Sequence, residues 1–403
     1  SSAASDVYKR QLLGGNTAAG EAFVDGWWTS PDITQVTRFF SRNLSMMDYW
    51  DSRFGLFLKP FKVIRHLKRL NSKRQAKKNI LAHYDLGNDL YQSFLDPKMQ
   101  YSSALYASEQ LSLEEAQVKK LTGTLQSISG VPLFISIDQE GGHVNRLKTS
   151  YGFPEFPSWK HIGAIDNTLI TKEFASSISE TMFNAGINLN FAPVLDLDYG
   201  EKTYIGKLER ALSGNHNNVI EHSKIFIETL RNNNIISCGK HFPGQGSAFG
   251  DTHQGFIDIS DSWSVADLLP YAELIESDHL DMVMVSHVFN DKFDPEYPAS
   301  LSHETITNSL RKDLNFNGVV ICDDPSMRAI SDNYKLEDMF VLMINAGIDL
   351  LCLGNNLDYD PEYIPKAVNA IRRSIENNRI SVDRINQSIN RITSLKHKFK
   401  LYE

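Results

Sequence analysis

Short apolar runs separated by stretches of helical periodicity recur from about residue 130 to the C-terminus, and they constrain this chain more than any other feature. The runs are Leu133–Ile137, Ile187–Phe191, Ile235–Gly239, Met282–Ser286, Val319–Cys322 and Ile348–Leu353. Each is nearly continuous in apolar residues rather than alternating, which is the pattern of a strand buried on both faces. Helical periodicity fills the gaps around residues 170–185, 216–232, 264–277, 302–313 and 335–346, with two further helices near 361–378 and 382–398. Strands alternating with helices in this way predict an α/β fold, a parallel sheet covered by helices.

The residues that end each run discriminate between the two main parallel architectures. They are Asp138-Gln139-Glu140, Ala192-Pro193 followed by Asp196, Lys240-His241, His287, Asp323-Asp324 and Gly354-Asn355. A TIM-type (β/α) barrel gathers functional groups at the C-terminal ends of successive strands. An open doubly wound sheet also binds ligands at strand C-termini, but chiefly at one switch point. The spread of polar ends along the chain favours the barrel. Six strands are countable in the sequence where a complete barrel has eight. The barrel is therefore expected to lack its first strands, which would precede Leu133, leaving open edges beside Leu133 and Ile348. No internal sequence repeat is visible.

Charge is uneven along the 403 residues. The net charge is −8, yet residues 1–120 carry 17 Lys+Arg against 12 Asp+Glu, and the remainder 24 against 37. An acidic body argues against nucleic acid as a partner, and the asymmetry suggests segments of different origin. No apolar run reaches membrane-spanning length and no signal peptide opens the chain. The three cysteines, Cys238, Cys322 and Cys352, sit at or near the ends of strand-like runs. An odd count without paired spacing argues against a disulfide framework and for a reducing, cytoplasmic setting.

Residues 1–19 show no periodicity, and Asp6–Gln11 reads as translated sequencing adapter, so this stretch is expected to be disordered or adapter-derived. Residues 20–118 form the next segment, expected to be mostly α-helical. Lys59–Lys78 holds nine Lys/Arg and no acid; then come Asn79-Ile80-Leu81-Ala82-His83-Tyr84-Asp85-Leu86-Gly87-Asn88-Asp89, Leu95-Asp96-Pro97 and Tyr101-Ser102-Ser103-Ala104. This segment resembles the N-terminal part of the cyclopropane-fatty-acyl-phospholipid synthases. The basic run fits either an anionic phospholipid surface or a solvated helix face. That family continues into a nucleotide-binding core with a glycine-rich turn, which is missing here, so no methyl transfer and no cofactor is expected. Ser112-Leu113-Glu114-Glu115 reads as a capping box opening a helix.

The third segment, residues 119–403, carries the chemistry. Ile137-Asp138-Gln139-Glu140-Gly141-Gly142 leads to Arg146, and Tyr204-Ile205-Gly206 leads to Arg210. Lys240-His241-Phe242-Pro243-Gly244-Gln245-Gly246 leads to Asp251-Thr252-His253, and Gly318–Cys322 ends in Asp323-Asp324. With these motifs in this order, the chain from about Gln117 resembles the bacterial β-N-acetylglucosaminidases of glycoside hydrolase family 3. The resemblance implies a retaining hydrolase that releases terminal β-linked N-acetylglucosamine from a small glycan, in cell-wall muropeptide recycling. Joined to the lipid-enzyme resemblance, it reads as a fusion of two truncated coding regions.

Retention needs a carboxylate nucleophile beneath the anomeric carbon and an acid at the leaving oxygen. By resemblance the nucleophile is Asp323, while Asp324, followed by Pro325 and Ser326, fits a helix N-cap. The resemblance also implies that a histidine oriented by an aspartate, His253 with Asp251, replaces the second carboxylic acid. An imidazole titrates near neutrality and can give a proton in one step and take one in the next. Asp138, Arg146, Arg210, Lys240 and His241 correspond to the sugar-binding groups, which hold hydroxyls and the N-acetyl carbonyl by charge-assisted hydrogen bonds. Arg146 and Arg210 also fit structural ion pairs, and His287 fits either a core or a functional position. The histidines lack metal-ligand spacing, so no metal is expected. A monomer is expected.

The family pattern is broken at several points. His143 stands where arginine is usual, Gln245 where histidine is, Cys322 where serine or threonine is, and Pro325 where leucine is, and Leu208-Glu209 is a two-residue insertion before Arg210. None removes a catalytic group. Four other readings stay open. A family 3 β-glucosidase or xylosidase usually takes its acid from a later domain. A substrate-assisted hexosaminidase is faintly matched by Asp196-Leu197-Asp198 with Glu201. The last two are a lipid methyltransferase-type protein and an inactive chimera.

Overall fold

The computed structural model describes residues 113–354 and 359–402. The expectations for residues 1–112, including Ser112 of the capping box, the lipid-enzyme-like segment up to that point and any strands within it, lie outside the described residues.

Five strands, β1 (Ser136–Ile137), β2 (Leu189–Asn190), β3 (Ile236–Phe242), β4 (Met282–Val285) and β5 (Val319–Cys322), form one parallel sheet in the order β1-β2-β3-β4-β5. A parallel bridge, Ile321↔Leu350, sets the Ile348–Leu353 run beside β5, so all six runs take the expected neighbours. The order is strictly sequential. A doubly wound sheet reverses its order at a switch point, whereas a barrel adds each strand to the same side of the last. The architecture is therefore the curled sheet of a TIM-type α/β fold.

The continuous apolar runs are explained by packing on both sheet faces. Along a strand, side chains alternate between faces. Leu189, Ile236, Cys238, Met282, Met284, Val319 and Ile321 make one cluster, joined by Leu395 and Phe399 at the end of the chain. Val283, Val285, Val320 and Cys322 belong to the other, between sheet and helices, with Phe174, Ile178, Met182, Phe226 and Met343. The helix His216–Asn232 shows how the cover forms. The Asn215 side chain accepts from the Asn217 N–H at its start, and Val219, Phe226, Ile227 and Leu230 make its buried face.

The expected 264–277 helix differs in detail. It opens as a 3₁₀ turn, Val265–Leu268, before an α-helix, Leu269–Glu276. Pro270 has no N–H to donate back into that turn, so the two pieces cannot wind as one α-helix. Residues 302–313 form a helix at Glu304–Asp313, wound in π fashion. Within the sixth run, the buried Asp349 carboxylate holds Arg311 at 2.6 Å, Arg391 at 3.2 Å and Arg384 at 3.3 Å. This ties the Glu304–Asp313 and Val382–Lys398 helices to the sheet. Among the described residues no helix is long and apolar enough to cross a membrane.

Candidate active site

The inner row of each strand points directly at the site. Ile236, Cys238 and Lys240 share one face of β3, and Val319, Ile321 and Asp323 continue one face of β5 and its end, by period-two alternation. Lys240 and Asp323 both line a cavity of about 500 Å³ whose apolar floor includes Phe191 and Met284. All eight residues singled out in the sequence line it: Asp138, Arg146, Arg210, Lys240, His241, Asp251, His253 and Asp323.

His241 follows Lys240 directly, so a regular strand would send it to the opposite face. The β3–β4 register shifts between Lys240 and Phe242. Such an irregularity re-aims a side chain, and both residues reach the cavity. The loop beyond depends on close approach. A Cβ on Gly246 would collide with the Leu197 carbonyl oxygen, and Gly244 takes φ +113° with Asp267 against it.

A chain of buried polar contacts stiffens the floor. Lys240, 2% exposed, donates from Nζ to Asp138 Oδ1 at 2.7 Å and lies 2.6 Å from Glu140 Oε1. Arg210 grips Glu140 with two bonds, Nε to Oε2 and Nη2 to Oε1, each 2.8 Å. Arg210 Nη2 also lies 3.0 Å from His241 Nε2. A guanidinium only donates, so this nitrogen accepts, leaving Nδ1 to carry the proton toward Asp196 Oδ2 at 2.6 Å. Asp196 Oδ1 further accepts the Gln245 N–H at 2.7 Å. Arg146 stays mostly exposed, 3.7 Å from Asp138.

The electrostatics follow from that arrangement. Burial works to raise the Glu140 carboxyl, but the Arg210 guanidinium and the Lys240 ammonium outweigh it and hold the group far below the ordinary carboxylate range. Burial works to lower Lys240, and the Asp138 and Glu140 carboxylates raise it instead. A carboxylate held this low adds stability above its unfolded value and loses it as the pH falls through the folded one. Glu140→Gln leaves two buried cations short of a partner, so unfolding free energy at neutral pH should drop by about 3–5 kcal/mol, measured as a lower urea midpoint.

Asp323 is opposed by burial, which favours the neutral acid, yet its surroundings, the His287 and His241 rings, the Asp324 N–H and the Lys240 ammonium, hold it below its usual value. Burial pushes His287 down, so at neutral pH the Lys240 charge and the Asp324 N–H, 2.9 Å from Asp323 Oδ1, are the steady contributors. His287 takes the core position. It contacts Ser300 Oγ at 2.7 Å and the Asp324 carbonyl at 3.0 Å. Asp324 is not the helix cap expected for it. Its carboxylate accepts from the Ser326 N–H at 2.9 Å, and the next helix starts only at Arg328.

The same cavity is lined by His253 and Asp251: His253 Nδ1 lies 2.7 Å from Asp251 Oδ1, and the Asp251 carboxylate also accepts the His253 N–H at 3.0 Å. The pair therefore holds together through its own backbone, with His253 half exposed and its Nε2 free of protein partners among the described residues.

Glu140, Asp196 and Tyr204 were not assigned roles from the sequence. Each lies just beyond a strand end or in the Tyr204–Arg210 motif. Nothing in single-sequence spacing tells a cavity-facing carboxylate from a capping one. Tyr204 stands beside Asp251, and burial and that carboxylate push its phenol up. Gln245 Oε1 is buried without a partner among the described residues, an acceptor available to a ligand hydroxyl. Cys238, Cys322 and Cys352 are all unpaired. Among the described residues no group of three or more His, Cys, Asp or Glu is arranged to hold a metal.

Comparison with known proteins agrees with this geometry. The family described as "Glycosyl hydrolase family 3 N terminal domain" matches residues 59–395. That span opens inside the 20–118 segment and so does not mark a boundary near residue 118. A Beta-hexosaminidase of Methylobacillus flagellatus is 32% identical over 258 residues, covering 62% of this chain and 72% of the relative. Beta-hexosaminidase A of Pseudoalteromonas piscicida is 30% identical over 311 residues, and the chain spans only 51% of it. A solved glycoside hydrolase family 3 beta-N-acetylglucosaminidase from a Paenibacillus species aligns with TM-score 0.67 at 32% identity, over 72% of this chain and 55% of that one. The Beta-N-acetylhexosaminidase of Beutenbergia cavernae aligns with TM-score 0.64 at 26% identity, over 73% and 88%.

Proposed function

The chain belongs to glycosyl hydrolase family 3, and from that premise we propose that it is a retaining glycosidase releasing terminal β-linked N-acetylglucosamine. One observation carries the reading: the Asp323 carboxylate and the Asp251–His253 pair line the same cavity, of sugar size. In the first step an Asp323 carboxylate oxygen bonds to C1 as the C1–O bond to the leaving group breaks, and His253 Nε2 gives its proton to the departing oxygen. Asp251, on Nδ1, fixes the tautomer and stabilises the imidazolium. In the second, His253 Nε2 takes a proton from water, whose oxygen bonds to C1 and releases Asp323. Asp138, Arg146, Arg210, Lys240 and His241 hold the sugar, with His241 and Arg210 oriented by Asp196 and Glu140.

The test is hydrolysis of an aryl N-acetyl-β-glucosaminide beside the matching β-glucoside and β-xyloside. A clear preference for the N-acetyl sugar is expected. Preference for either of the others would reassign the substrate, and inactivity on all three would leave the inactive chimera. We further infer that the protein acts as a cytoplasmic monomer on muropeptides of cell-wall recycling. The unpaired cysteines support a reducing compartment, and release of N-acetylglucosamine from purified muropeptides tests the substrate. From the motifs of residues 79–104 alone we infer a fusion of two truncated coding regions near residue 117, made in library construction or assembly rather than in the genome. One continuous genomic product across codons 105–130 would overturn that reading.

A further inference from the structure

The loop that carries Asp251 and His253 is thinly packed. Phe249 faces solvent at its start, 70% exposed, and the His253 side chain is half exposed. Two backbone bonds pin this loop. The Tyr204 N–H donates to the Ala248 carbonyl at 2.9 Å, and the Ala329 N–H donates to the Thr252 carbonyl at 3.3 Å. Tyr204 opens a short helix, Tyr204–Lys207, whose Thr203 cap accepts the Gly206 N–H at 3.2 Å. Tyr204 therefore stands at a fixed point against the loop. It lines the catalytic cavity together with Asp251 and His253, and with Asp251 it forms the wall shared with a neighbouring cavity.

The Asp251 carboxylate is mostly buried and its two oxygens are unequally served. Oδ1 takes both His253 contacts, whereas the Gln254 amide stands 3.5 Å from Oδ2. A carboxylate withdrawn from water needs closer donors than that. The Tyr204 phenol lies within hydrogen-bonding reach of Asp251. Burial and the charges of Asp251 and Asp323 push the phenol up against the opposing Arg210 charge, so its proton stays on the oxygen.

We propose that Tyr204 is a positioning residue for proton transfer: its phenol O–H donates to the Asp251 carboxylate and holds it where it orients the His253 imidazole. The proposal rests on the glycosidase reading above. The bonds between Asp251 and His253 join two residues of one exposed loop, so they fix the pair internally but not its place over the cavity. A bond from a capped helix end supplies the outside reference, and keeps Nε2 aimed at the departing oxygen.

The experiment compares phenyl N-acetyl-β-glucosaminide, whose leaving group needs a proton, with the dinitrophenyl analogue, which departs unaided. In Tyr204→Phe, kcat/KM on the phenyl substrate should fall about tenfold, the worth of one hydrogen bond to a charged group, and on the dinitrophenyl substrate it should stay near that of the unmodified protein. Added to His253→Ala, Tyr204→Phe should lower the phenyl rate no further, because the group it positions is gone. A loss of equal size on both substrates, no loss on either, or a loss that persists in His253→Ala overturns the proposal, since a residue that merely shapes the cavity acts without regard to the proton donor. Failure of the unmodified protein to hydrolyse either substrate would instead sink the glycosidase reading, and this role with it.

Discussion

Replacing Asp323 with Asn should lower kcat on an aryl N-acetyl-β-glucosaminide by on the order of 10⁴-fold or more, the scale at which loss of a nucleophile is felt. The amide is nearly the same size and keeps the position at the end of β5, but it has no anionic oxygen to bond to C1. The surroundings of Asp323 are arranged for the anion. Burial opposes the charge, and His287, His241, the Asp324 N–H and Lys240 reverse that preference. Because the folded value is depressed, the carboxylate persists as the pH falls through the ordinary aspartate range, and another group should set the acid limb of the rate profile. Steady-state kinetics alongside a denaturation curve separate chemistry from folding. Near-normal turnover in a folded Asp323→Asn protein would mean that another group attacks the sugar.

His253→Ala should cost ~10²–10⁴-fold on substrates with poor leaving groups, the usual worth of a positioned proton donor. The loss should shrink as the leaving group becomes more acidic, since a departing phenolate needs no proton. The second step would then limit the rate, because no base remains to activate water. A small anionic nucleophile such as azide needs no deprotonation and should restore turnover, giving the glycosyl azide. A leaving-group series measured on both proteins reads this directly. If the variant and the unmodified protein gave parallel dependences on leaving-group acidity, His253 would not be the acid.

Much of this was legible in one dimension because two periods carry it. Continuous apolar runs such as Met282–Ser286 and Val319–Cys322 require burial on both faces, and that requirement alone implies the parallel, helix-covered sheet. The same period of two puts Lys240 in line with Cys238, and Asp323 with Ile321, at the cavity end of the inner row. The 216–232 helix is readable from its periodicity, while its Asn215 cap is seen only in the structure. Asp324 fits a helix cap in the sequence because an Asx turn and a helix cap use the same side-chain bond to a nearby N–H, and only the start of the next helix, at Arg328, tells them apart.

Local chemistry along the chain therefore sufficed for the kinds of elements, their sequence of use and the groups at their ends, because propensity, capping and alternation act over a few residues. It could not supply partners far apart in the chain. Glu140 meets Arg210 and Lys240, and Asp196 meets His241, only once parallel strands stand side by side. The register shift beside which both Lys240 and His241 reach the cavity, the shared wall of Tyr204 and Asp251, and the solvent-facing ring of Phe249 are likewise products of tertiary packing. Charge pairing and burial depend on distance in space, and that distance is settled by how the strands curl.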